Sequence, residues 1–162
     1  MFHFNRTSLL GRGVLLAAVV AAASVLAVPA MAGECPADQK KPNARKAVDV
    51  KPVGVTDTTI AAIDVSKAPF NIDGRNFRMR KLVVEPGGIV PWHSHADRPA
   101  IIYIVEGEIH EYASNCSVPL VHDAGDVVAE TPDVSHWWKN LGDTTVVLLS
   151  ADLIKDEKDH NM

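Results

Sequence analysis

Past residue 52 the chain falls into short runs of β-branched and apolar residues, each ended by Gly, Pro, Asn or Asp. That is the pattern of strands joined by tight turns. The runs are TTIAAIDVS (58–66), FRMRKLVVE (77–85), AIIYIVEGEIHEY (100–112), PLVHDAGDVVAE (119–130), SHWWKN (135–140) and TTVVLLSADLI (144–154). The PGG at 86–88 is expected to stop the second run, and the Gly-Asp at 125–126 to turn the fourth back on itself. No window in this region repeats apolar residues at helical spacing, so the expectation is an all-β sandwich or barrel over 53–154. Runs such as IIYIV and TVVLLS are apolar on both faces. In a barrel one face fills the interior and the other needs cover, which predicts a homodimer.

The N-terminal third reads differently. Residues 1–32 open with Arg6 and Arg12 and no acidic residue, continue as an apolar run from Val14 to Val28, and close on Ala30-Met31-Ala32. Basic, apolar, then small-x-small is the order of a signal peptide cleaved after Ala32, and the fifteen-residue apolar run is shorter than the roughly 20 residues a spanning helix needs. The expectation is a periplasmic or secreted protein with no stable membrane insertion after cleavage. Residues 33–52 are polar and rich in proline, and read as an extended arm; residues 155–162 are a charged tail.

Cleavage after Ala32 leaves 130 of the 162 residues, enough for one domain, and moves the formal net charge from −4 to −6. A mildly acidic domain has no electrostatic footprint for nucleic acid, which leaves a small molecule or another protein as partner. Both cysteines, Cys35 and Cys116, survive cleavage. An even count in an exported chain predicts a disulfide pinning the arm to the loop near Cys116, with two separate thiols as the alternative.

The candidate chemistry centres on PWHSHADRPAIIYIVEGEI (91–109). Along a strand, residues i and i+2 share a face, so His93 and His95 point to one side and form a chelating pair. A third histidine, His136, follows in SHWWKN.

These residues resemble the two motifs of the cupin superfamily. The first motif reads Gly, five residues, His-x-His, three or four residues, Glu, six residues, Gly; here it is Gly87, GIVPW, His93-Ser94-His95, ADRP, Ala100, six residues, Gly107. The second reads Gly, five residues, Pro-x-Gly, two residues, His, three residues, Asn; here it is Gly125, DVVAE, Thr131-Pro132-Asp133, VS, His136, WWK, Asn140. The resemblance covers roughly residues 85–142 and implies a double-stranded β-helix, or jelly-roll barrel, with His93, His95 and His136 as metal ligands.

Two departures stand out: Ala100 occupies the place of the family's glutamate ligand, and Asp133 that of the turn glycine. Three neutral histidines leave a divalent ion its full charge and favour Fe, Zn, Cu or Ni over manganese. Among nearby carboxylates, Glu130 ranks first as a pocket acid and Asp97 second, with solvated surface charge as the plainer reading of each. The expected ligand pocket is lined by Ala100, Ile102, Ile104, Glu130 and Trp138, with Asn140 behind His136, and with Arg98 either at the rim, gripping a ligand carboxylate, or paired with Asp97 or Glu106. Trp137 should face away from Trp138, while His110 and His122 read as partly exposed strand residues rather than ligands.

The implied function is binding of a small organic ligand at a metal site, with oxygenase or isomerase chemistry as the enzymatic form. The alternative is a metal-free binding or sensing module. No catalytic acid–base pair is evident, so enzyme and binder stay open.

Overall fold

A computed structural model describes residues 34–48, 51–70, 72 and 74–155. The expected signal peptide and residues 156–162 of the tail lie outside the described residues. No helix among the described residues is long and apolar enough to cross a membrane.

Eight strands make one curled sheet: β1 (Val53–Asp64), β2 (Asn76–Ser94), β3 (Ala100–Glu106), β4 (Glu108–Ala113), β5 (Leu120–Asp123), β6 (Val127–Glu130), β7 (Ser135–Lys139) and β8 (Val146–Ile154). Hydrogen-bonded neighbours run β5-β4-β7-β2-β8-β3-β6, and β1 adds to β2. Every pairing is antiparallel. Among the described residues the fold is all-β, as the punctuation of the sequence required, with one 3-10 turn at Val65–Lys67 after β1.

The PGG segment corrects one expectation. It bends a strand instead of ending it: β2 runs unbroken for 19 residues through Pro86, Gly87 and Gly88. Its first half pairs with β8 and β1, and its second half pairs with β7. The strand thus crosses from one side of the barrel to the other, and the glycines permit it. Gly87 has φ +75°, open to glycine without steric cost. A Cβ on Gly88 would lie 2.7 Å from Glu85 O and from the Val84 side chain. Gly107, at φ +83°, makes the corner between β3 and β4.

Strict alternation fills the interior. β8 runs buried, half-buried, buried along all nine residues, and β3 buries Ala100, Ile102 and Ile104 while exposing Ile101, Tyr103 and Val105. Leu82, Val84, Val90, Ile102, Ile104, Ile109, Val128, Trp138, Val146 and Leu148 form the main core. A second, smaller cluster gathers Cys35, Ala113, Cys116 and Leu120 where the arm meets the barrel. There the Cys35–Cys116 disulfide closes a sequence separation of 81. Around it Lys40 bridges to Cys116, the Lys41 amide donates to Asn115 O, and the Ser117 amide donates to Gln39 O. The described part of the arm, residues 34–48, is therefore strapped to the barrel by backbone bonds as well as by sulfur. Such a disulfide belongs in an oxidising compartment.

Candidate metal centre

The site forms where β2, β6 and β7 come together. His93 and His136 are direct cross-strand partners, which brings their side chains onto one face within about 5 Å at Cβ. Their Nε2 atoms are 3.2 Å apart. His95 follows His93 by two residues and has its ring centroid 4.9 Å from that of His93 and 5.1 Å from that of His136. His95 and His136 are 1% and 2% exposed.

A fourth group completes the cluster. Ala100 lies opposite Glu130 in the β3–β6 register. The carboxylate missing at position 100 is thus supplied from the facing strand, pointing to the same side. Glu130 Oε2 is 2.6 Å from His95 Nε2, and its Oε1 is 3.2 Å from His136 Nε2. One ligating atom from each of His93, His95, Glu130 and His136 lies within 4.8 Å of every other.

The far side of each imidazole is tied down. Pro91 O lies 2.8 Å from His93 Nδ1, Arg98 O lies 2.8 Å from His95 Nδ1, and Glu111 Oε1 lies 2.6 Å from His136 Nδ1. Since a carbonyl or carboxylate only accepts, each Nδ1 carries a proton, which leaves each Nε2 as the atom that would offer its lone pair to a bound metal. His95 Nε2 makes no hydrogen bond of good geometry despite its closeness to Glu130. Three lone pairs and a carboxylate converging on one point, with their partners already behind them, fit a divalent transition metal.

Behind His136 lies a layer that the alternation of EIHEY and LVHD encoded but that the motif comparison did not flag. Glu111, on β4, is diagonal to His136 across β7 and diagonal to His122 across β5. Its second oxygen, Oε2, accepts from His122 Nε2 at 2.9 Å. His122 is fully buried and stacks on Trp138, with ring centroids 4.8 Å apart. His122 is therefore no exposed strand residue: its place, two residues after inward Leu120, put it inside. His110 does stay at the surface, beside Glu108.

Electrostatics follow from this layer. Burial raises the Glu111 carboxyl, but the hydrogen bonds and charges of His122 and His136 outweigh it and hold the pKa down at about 2. For His136, burial favours the neutral ring, yet Glu130 and Glu111 prevail and raise its pKa. Burial, aided by the His136 charge, drives His93 down to about 2.

The remaining expected pocket residues are scattered. Arg98 is buried and turns to Asp152, 3.5 Å away, instead of a ligand rim. Asp152 also takes both nitrogens of a bidentate Arg78 at 2.8–3.0 Å. Asn140 donates to Val84 O and Thr144 O and accepts from the Gly142 amide, so it staples the β7–β8 turn. Ile104 is deep in the core. Ile102 and Trp138, with His93, Glu130, Arg80 and Ser150, line an inner void of about 20 Å³, room for about one water. Asp97 and Glu106 are exposed, and Trp137 stacks on Tyr112 away from Trp138.

A larger cavity, about 270 Å³, touches the cluster at Glu130 and His136. It is also lined by Glu111, by the apolar Leu120, Val128 and Val134, and by Glu34, Cys35 and Lys40 of the arm.

A family model for the cupin domain matches residues 80–152. No match to the chain is found among the curated proteins. Among solved structures, oxalate oxidase in complex with the substrate analogue glycolate is 24% identical, covering 68% of this chain and 57% of its own, with a TM-score of 0.50. The Schizosaccharomyces pombe Cnp3 cupin domain is 13% identical over 64% of this chain and 63% of its own, at 0.49. A Klebsiella pneumoniae protein with a double-stranded β-helix domain is 15% identical over 66% and 80%, also at 0.49. The chain spans less than two thirds of the first two, and at these identities the likeness is one of fold.

Proposed function

Residues 80–152 make this chain a member of the cupin superfamily, and from that premise we propose that it is an exported, metal-binding cupin that takes a small organic ligand at its metal. His93, His95, His136 and Glu130 hold a divalent ion, and the N3O donor set serves Fe, Zn, Cu or Ni. The carboxylate from Glu130 also lessens the bias against manganese that three histidines alone would impose. When bound, such an ion supplies Lewis acidity or, if redox-active, dioxygen chemistry.

The chain's own groups do the rest. Pro91 O, Arg98 O and Glu111 orient the three imidazoles. The core around Trp138 and Ile102 keeps bulk water from the inner side. The mature chain consists of an arm (33–52), a barrel (53–154) and a short tail (155–162), released by cleavage after Ala32. The exposed apolar residues Ile101, Tyr103, Val105 and Val127 on the outer face of β3 and β6 support a homodimer.

The convergence of four ligating atoms within 4.8 Å carries this reading. Elemental analysis of protein purified from its native compartment should find about one transition metal per chain. His136→Ala and Glu130→Ala should each lower that content. Unchanged metal content in both variants refutes the assignment. A fully loaded ligand site in metal-free wild-type protein would make the chain a binding module instead.

A further inference from the structure

Two of the three imidazoles are set by the sheet itself. His93 lies in β2 and His136 in β7, and the two are paired across the ladder, so strand register fixes both side chains. His95 is placed differently. β2 ends at Ser94, and residues 95–99 belong to no strand. The outer nitrogen of His95, Nδ1, donates to Arg98 O at 2.8 Å, and the Arg98 amide donates back to His95 O at 3.2 Å. The direction of the ring therefore follows the place of the Arg98 carbonyl.

That carbonyl is anchored from the end of β8. The Arg98 guanidinium is buried and reaches Asp152, also buried, at 3.5 Å. Asp152 is itself held to β2 by the bidentate Arg78 at 2.8–3.0 Å, with Arg80 at 3.4 Å. The next residue along β8 adds two ties to the same loop. The Leu153 amide donates to Pro99 O at 3.3 Å, and Arg75 Nη1 donates both to Leu153 O and to Asp97 O. We propose that Arg98 and Asp152 are positioning residues of the metal centre: their buried ion pair sets the 95–99 loop and, through the Arg98 carbonyl, turns His95 Nε2 toward the other ligands. The proposal rests on the metal reading above and adds the residues that orient the one ligand lying outside a strand. Arg78 makes the closer pair with Asp152, but its backbone is already fixed by pairing with β1 and β8, so what it chiefly braces is the sheet.

The test is titration of the metal-free full chain, disulfide intact, with cobalt(II), followed by calorimetry and by the visible d–d spectrum of the bound ion. Arg98→Gln keeps the backbone carbonyl and removes the guanidinium. It should bind cobalt ~10–100-fold more weakly than wild type and shift the d–d bands, because one nitrogen ligand is no longer held in place. Arg98→Met fills the same space without a buried amide and carries the same expectation if the glutamine variant does not fold. Arg98→Lys restores a cation at a contact that is not bidentate, where an ammonium can serve, and should recover most of the lost affinity. Arg78→Gln is the control. It breaks the closer ion pair, so it should lower the urea midpoint at least as far as Arg98→Gln, yet keep the wild-type cobalt spectrum and an affinity near the wild-type value. Wild-type affinity and spectrum in Arg98→Gln or Arg98→Met, no recovery in Arg98→Lys, or equal loss of cobalt in Arg78→Gln overturns the positioning role and leaves the metal reading standing. A wild-type chain that takes up no cobalt overturns both.

Discussion

Replacing Glu111 with glutamine isolates the charge that backs His136. The carboxylate is 4% exposed and bonds His136 Nδ1 and His122 Nε2 at 2.6 and 2.9 Å. Its folded pKa of about 2 lies well below the ordinary 4.5, and a shift of that size corresponds to ~3 kcal/mol of stability. Because the folded value is the lower one, the contribution is complete above the unfolded pKa and drains away as pH falls through about 2. His136 has the opposite sign: its raised pKa means that the pair is strongest below 6.5 and weakens as pH rises through the folded value. Glutamine keeps the shape but can hold no charge, and breaking a buried pair of this kind costs ~3–5 kcal/mol. Urea unfolding of chelator-treated wild type and Glu111→Gln should therefore differ by ~3 kcal/mol near pH 6, narrowing to about half by pH 3. With metal present, the variant should bind the ion ~10–100-fold more weakly. A stability gap that does not change between pH 6 and pH 3 refutes the charge argument and reduces Glu111 to a space-filler.

Three further outcomes are expected. His93 is held neutral to about 2 against an ordinary 6.5, so the unfolded chain takes up a proton that the folded one refuses. Stability of the metal-free protein should then fall by ~1.4 kcal/mol for each pH unit below 6.5 on this account, and His93→Gln should remove that slope from urea midpoints measured between pH 6.5 and 5. Reduction of Cys35–Cys116, which closes a separation of 81, should cost about 4 kcal/mol in the chain-entropy account; an unchanged urea midpoint in reductant contradicts it. Light scattering at micromolar concentration should show a dimer for wild type and a monomer for Tyr103→Glu, placed on the exposed face of β3; a monomeric wild type removes the dimer.

Much of the site was legible because its geometry is local. His93 and His95 share a face by the period of any strand, and the burial of Trp138 opposite outward Trp137 follows from the same rule. Turn residues marked nearly every strand boundary. They misled at PGG, where the need for a bend and the need for a stop call for the same residues and pairing on both sides of β2 decided for the bend, and the run 100–112 hid the corner at Gly107 that divides β3 from β4.

Asn140 and Arg98 show where spacing runs out. Both sit at motif-like distances from a histidine, yet both are claimed by partners distant in the chain: Val84 O for the amide and Asp152 for the guanidinium. The Glu111–His122 pair shows the converse. Two polar residues on inward positions were visible as an oddity, but not as a pair, since β4 and β5 had to be aligned before one oxygen could face each ring.

The residues alone determined an all-β chain, the facing of each side chain and the trio of imidazoles, because alternation is written two residues at a time. Tertiary structure alone decided that Glu130 answers for Ala100, that Glu111 stands behind His136, and that the arm walls the larger cavity. Each of these depends on register between strands or segments far apart in the chain, and register is chosen by the packing of the whole barrel, which no short stretch records.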